Sequence, residues 1–172
     1  MIYPQEVQKK YDLCFVASQP ENECKNIKWV YKNCPDYYSV LQLGLKPSIK
    51  YPKNVKCKWV PKGEMAKYIC QCKVAIVPNK EDDSGPRVIP EFMACGIPTI
   101  ILDSVRFNKE AYGIEAYDKK QFWPKVSYWL NCNSYEAESK RLVKFYDENL
   151  SMIYAARNLR SIIEKHRFRG KV

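Results

Sequence analysis

The sequence predicts an α/β protein built on an open, Rossmann-like, doubly wound parallel sheet, with a helical tail over about residues 120–172. Three observations predict it. Five short apolar runs lie between residues 12 and 102, helical patterns alternate with those runs, and beyond about residue 119 only helical spacing remains. Runs that are apolar throughout, rather than at every second position, suit parallel strands covered on both faces. Strands alternating with helices suit a sheet wound in both directions, which binds ligands at the carboxyl ends of its strands.

The expected strands are residues 12–17, 39–43, 55–60, 74–77 and 98–102, most rich in β-branched or bulky side chains and most bounded by turn formers. Residues 21–34 are expected to be helical, with Ile27, Val30 and Tyr31 on one side and Trp29 beyond that stripe. Residues 62–71 carry Met65, Tyr68 and Ile69 at helical spacing. A short helix over 88–95 ends at Gly96, a residue suited to the left-handed position past a helix terminus. In the tail, Leu142, Phe145, Tyr146, Leu150 and Ile153 fall at helical spacing, as do Leu159, Ile162 and Ile163, which predicts helices packed on the sheet. The basic end, residues 165–171, is expected to fray.

With 172 residues and 46% hydrophobic composition, the chain can form one domain, 1–172, around a real core. No apolar run reaches the roughly 18–20 residues of a membrane span, and the start shows no basic region followed by an apolar stretch, so export is not expected. The eight cysteines are read as reduced thiols: Cys14, Cys57 and Cys95 lie in or beside apolar segments, and Cys70-Gln71-Cys72 is too tight for the usual zinc knuckle. That points to a reducing, cytoplasmic compartment. The net charge of +10 implies an anionic partner: a nucleotide diphosphate, nucleic acid or an acidic membrane surface. Trp29, Trp59, Trp123 and Trp129 are read as core or interface packing, and His166 as a solvated tail residue.

The informative stretch is VAIVPNKEDDSGPRVIPEFMACGIPTIIL, residues 74–102. A buried strand ends at Pro78, a loop with three acids follows, Ser84-Gly85-Pro86 makes a tight turn, and a helix begins near Val88. Seven residues separate Asp83 in the loop from Glu91 on the helix. Backbone amides at the start of such a helix suit a phosphate.

Residues 83–98 resemble the donor-site signature of retaining glycosyltransferases with the GT-B fold, in the large group often called family 4. The resemblance rests on the acid spacing, the Gly85-Pro86 turn, Met93-Ala94, Gly96 and Pro98 together. The rest of the chain keeps the family's order, with residues 12–18 similar to the first strand and phosphate-side loop of the second domain, and 55–61 to the strand and loop at the base. The resemblance therefore spans nearly the whole chain, but only the second half of a normal enzyme.

It implies a nucleotide-sugar donor, UDP- or GDP-linked, retaining transfer to an acceptor hydroxyl, no cofactor and no metal. It also implies an acceptor-binding domain or subunit beyond this chain. Carried over by position, Glu91 would accept from the ribose hydroxyls, and Arg87, Val88 and Ile89 would offer backbone amides to the diphosphate, next to the Gly85-Pro86 turn. Lys25 would neutralise the departing nucleotide, Ser18 would lie on the phosphate side, Val60 would meet the base, and Asp83 would lie near the sugar. Asp83 and Glu91 are thus the expected catalytic pair. The family's first acid is usually Glu, so Glu81 and Asp82 stand beside Asp83 as alternatives, and Ala17-Ser18-Gln19-Pro20 replaces a usual Gly-rich turn. Plainer roles exist too: Arg87 in a surface ion pair, Lys25 as one lysine among many, Glu91 as an exposed helix residue, Asp83 as turn chemistry. The competing functions are a nucleotide-sugar-binding module without turnover and a basic nucleic-acid-binding domain, whose affinity would fall steeply with salt. Peripheral contact with an anionic membrane also fits the charge.

Overall fold

A computed structural model describes residues 4–80, 87–103 and 114–167. Six parallel strands form one sheet: β1 (Tyr11–Ala17), β2 (Val40–Gly44), β3 (Val55–Lys58), β4 (Cys72–Val77), β5 (Thr99–Leu102) and β6 (Ala116–Tyr117). Their order is β3-β2-β1-β4-β5-β6, the doubly wound arrangement, with the direction of winding reversing between β1 and β4. β6 is a sixth strand that the sequence reading did not contain. It is two residues long, half-buried and carries no apolar run, so periodicity has nothing to detect there.

Both faces of the sheet are covered, which is why the strands read as unbroken apolar runs. On one face Leu13, Phe15, Ala17, Val40, Val74, Ile76, Ile100 and Leu102 meet Ile27 and Val30 of α1 (Ile27–Asn33) and Phe122 and Val126 of α4 (Lys119–Asn131). On the other, Cys14, Leu41, Leu43, Ala75, Val77 and Ile101 meet Ala66 and Ile69 of α2 (Met65–Ile69), with Phe92 and Met93 of α3 (Val88–Ala94). Leu142 of α5 (Tyr135–Asn149) joins this second layer. Successive strand residues point to opposite faces, so Leu13 and Cys14 serve different layers of the same core.

The helices differ from the sequence expectation in three places. The helix expected over 21–34 is a 3-10 turn, Glu23–Lys25, followed by α1, because Asn26 takes a left-handed conformation (φ 52°) and breaks the helix. The helix expected over 62–71 starts as a 3-10 turn, Lys62–Glu64, before α2. In the tail, α4 packs on the sheet, α5 lies mainly on α3, and α6 (Met152–Arg167) lies on α5 and is helical as far as Arg167, while the rest of the end expected to fray, residues 168–171, lies outside the described residues. The end of α3 is as expected. Gly96 (φ 66°) donates to Met93 O at 2.9 Å, and Ile97 donates to Phe92 O at 3.0 Å.

All eight cysteines are unbridged; Cys14, Cys70, Cys72 and Cys95 are buried, whereas Cys57 is only half-buried. Trp29 and Trp123 stack at 5.7 Å between ring centroids, and both meet Phe122 edge-on, so these two indoles are packing residues.

Candidate functional site

A cleft of about 500 Å³ opens at the carboxyl ends of β1 to β4, beside the point where the winding reverses. Each strand end delivers something to it. β1 contributes Val16 and, just past its end, Ser18; β2 contributes Leu43 and Gly44, with Leu45 following. β3 is followed by Trp59 and Val60, and β4 by Asn79. Arg87, Val88 and Glu91 line it from the start of α3, Met65 from α2, and Lys25 from the turn before α1.

Local chemistry explains how Lys25 reaches the strand ends. Asn26 donates through Nδ2 to the Pro78 carbonyl at 2.8 Å, and the Lys80 N–H donates to the Cys24 carbonyl at 2.8 Å. These two bonds tie the turn before α1 to the chain leaving β4. The left-handed backbone at Asn26 then aims α1 away from the cleft and leaves Lys25 at its rim. On the other wall, the fully buried Gln42 donates to the Leu45 carbonyl at 3.2 Å and accepts from the Tyr31 hydroxyl. Burial, with Cys57 beside it, pushes the Tyr31 hydroxyl upward, so it keeps its proton and remains the donor. The loop after β2 is thereby fixed from below.

Gly44 is needed where it stands. Its φ of 131° is a conformation that side chains rarely adopt, and a Cβ there would lie 2.2 Å from the Ala17 carbonyl oxygen. The absent side chain lets β1 and β2 end side by side as the cleft wall.

Of the residues singled out from sequence, Ser18, Lys25, Val60, Arg87, Val88 and Glu91 line this one cleft. Ile89 does not: its side chain is fully buried in the core with Phe92 and Met93, which leaves only its backbone amide for the expected role. Asp83, Gly85 and Pro86, with Glu81 and Asp82, lie outside the described residues. Among the described residues no group of three or more His, Cys, Asp and Glu side chains is arranged to hold a metal ion.

Sequence reasoning missed two polar or aromatic contributors. Trp59 is 64% exposed and lines the cleft, which corrects its reading as a packing residue. Its position directly after a strand, before Val60 and Pro61, was the available signal, since ligands gather at strand ends in such sheets. Asn79, nearly buried at the end of β4, carries the same signal after Pro78.

The fold, a six-stranded parallel sheet with flanking helices, matches that of solved structures with the GT-B fold. The solved GtfA/B complex is similar over 94% of this chain and 37% of its own, at 15% identity and TM-score 0.67. T4 phage BGT, solved with its UDP-glucose substrate, is similar over 86% of this chain and 47% of its own, at 10% identity and TM-score 0.68. Anabaena HepE, solved with UDP and glucose, is similar over 91% and 48%, at 11% identity and TM-score 0.66. The chain thus spans less than half the length of these structures. No protein-family model and no curated protein matches it.

Proposed function

We propose that this chain is the donor half of a glycosyltransferase, holding a UDP- or GDP-linked sugar in the strand-end cleft for retaining transfer to an acceptor hydroxyl. The observation that carries the reading is convergence. Six residues selected by resemblance to a donor-site signature, from four separate parts of the chain, line a single cleft at the end of the sheet where such folds bind ligands. The similarity in fold to proteins solved with UDP and with UDP-glucose supports it.

In this reading Glu91 accepts from the ribose hydroxyls, and the amides at the start of α3 face the diphosphate. The bond from the anomeric carbon to the diphosphate oxygen breaks with its electron pair leaving on the diphosphate, the acceptor hydroxyl oxygen bonds to that carbon on the same face, and the hydroxyl proton passes to the departing diphosphate oxygen. Lys25 and Arg87 stabilise the negative charge that develops there. Asp83, outside the described residues, keeps only the role beside the sugar that the resemblance implies. The acceptor is assigned to a further domain or subunit, as the longer chains of the similar structures suggest. The unbridged thiols fit a reducing, cytoplasmic setting.

The test is a thermal-shift panel of UDP, GDP and ADP sugars, with and without EDTA. A ligand at about 100 times its Kd adds about 2.7 kcal/mol, or roughly 5–10 °C for a chain of this size. We expect one nucleotide to act selectively, EDTA to leave the shift intact, and Glu91→Ala to abolish it. The reading fails if no nucleotide stabilises the protein, or if Glu91→Ala keeps the full shift. A selective shift without sugar transfer, even with an acceptor subunit supplied, would make the chain a binding module.

A further inference from the structure

We propose that Asn26 is a positioning residue, which holds Lys25 and Asn79 opposite each other as one anion-binding pair for the distal phosphate of a nucleoside diphosphate. The assignment rests on the donor reading of the cleft and adds Asn26 and Asn79 to it. Two bonds join the turn before α1 to the chain leaving β4: the Lys80 N–H donates to the Cys24 carbonyl at 2.8 Å, and Asn26 Nδ2 donates to the Pro78 carbonyl at 2.8 Å. The bonded residues advance along one segment as they retreat along the other, Cys24 meeting Lys80 and Asn26 meeting Pro78. Lys25 and Asn79 are the residues bracketed between these bonds, one on each segment, and both line the cleft.

The turn is fixed from within as well. Asn22 Oδ1 accepts from the Cys24 N–H at 2.9 Å, and the Asn26 N–H donates to the Glu23 carbonyl at 3.0 Å. Asn26 serves twice: it tolerates the left-handed backbone, and its side-chain amide reaches across to the exit of β4. Glycine would supply only the first of these, so it separates the bond from the backbone conformation. Asn79 is a polar side chain only 4% exposed, placed where water competes little and electrostatic bonds are weakly screened. The lysine ammonium and the asparagine amide both offer N–H donors, which suit phosphate oxygens. The strand order assigns the phosphate: along β3-β2-β1-β4, Trp59 and Val60 follow the strand at one end and Asn79 follows the strand at the other. With the base at the β3 end, the β4 end receives the part of the nucleotide furthest from the base.

The test is calorimetric titration of the full chain and its variants with UDP and UMP, and with GDP and GMP. For whichever base the parent takes, Asn26→Gly and Asn79→Ala should each weaken the diphosphate about tenfold and the monophosphate little, so the preference for the diphosphate falls. Lys25→Gln should do the same, and adding Asn26→Gly to Lys25→Gln should weaken the diphosphate no further, because both changes disable one group. A general loosening of the fold would instead lower both nucleotides alike. Equal losses for diphosphate and monophosphate, an unchanged preference in Asn26→Gly or in Asn79→Ala, or additive losses in the double variant would overturn the proposal and leave the donor reading standing. A parent chain that binds neither diphosphate would overturn both.

Discussion

Gly44→Ala is the sharpest probe of how the cleft wall is built. Gly44 closes β2 and stands in register with Ala17 at the end of β1. An added methyl would lie 2.2 Å from the Ala17 oxygen, 2.6 Å from its carbonyl carbon and 3.0 Å from the Ser18 nitrogen. All three are backbone atoms of the central strand or the residue after it, so no side-chain rotation relieves the contact. Holding a non-glycine residue at φ 131° costs about 1–3 kcal/mol. Forcing the strands apart costs about 1–3 kcal/mol more, and restricting the unfolded chain returns about 0.4–1 kcal/mol. The net loss is about 3 kcal/mol, or roughly 6–12 °C in Tm for a chain of this size. Gly63→Ala is the control: nothing lies within 4 Å of its would-be Cβ. That variant should be neutral or gain up to about 1 kcal/mol. Urea unfolding of both reads the difference. If Gly44→Ala stays within about 0.5 kcal/mol of the parent, the size of an ordinary surface change, the close approach of β1 and β2 does not exist as described.

Two further predictions concern the aromatic wall and the acid limb of stability. Trp59→Ala should cost about 1–3 kcal/mol of nucleotide affinity by calorimetry if a base stacks on the indole, with little change in the Tm of the free protein because the side chain is 64% exposed; an unchanged Kd would remove Trp59 from the site. Asp12 accepts from Lys73 Nζ at 2.9 Å and from the Ser39 N–H and hydroxyl at 3.0 and 2.8 Å. Burial works against its ionisation, but these bonds outweigh burial and hold the carboxyl below its ordinary range. The stability it contributes is therefore full above about pH 4 and is lost as pH falls through the depressed value. Asp12→Asn should flatten that part of the curve of unfolding free energy against pH; an unaltered slope would show that the pair is silent.

Much of the fold was legible because its strands are covered on both faces. Leu13 and Cys14, or Ile100 and Ile101, are buried on opposite sides, so the apolar runs are continuous and easily seen. β6 escaped because two half-buried residues leave no pattern. The break at Asn26 goes with a bond to the Pro78 carbonyl, 52 residues along the chain, which helical spacing does not report. The destination of α5 and α6 was equally hidden: helical spacing reports an apolar stripe but not what the stripe meets. At the site, Glu91, Arg87 and Val88 were found through the resemblance of residues 83–98 to a donor-site signature, whereas Trp59 and Asn79 needed the strand ends to be known first.

The strand order also sets a timetable for folding. β1 is the first of the described strands, yet it sits in the middle of the sheet, and one of its two neighbours is β4. The Asp12–Lys73 bond across that boundary joins residues 61 apart. Closing so long a loop must precede any gain from the pairing, which makes the step slow compared with forming α1 or α4. During synthesis β1 therefore waits with one edge open until β4 leaves the ribosome, and over that interval the nascent chain is most exposed to mispairing.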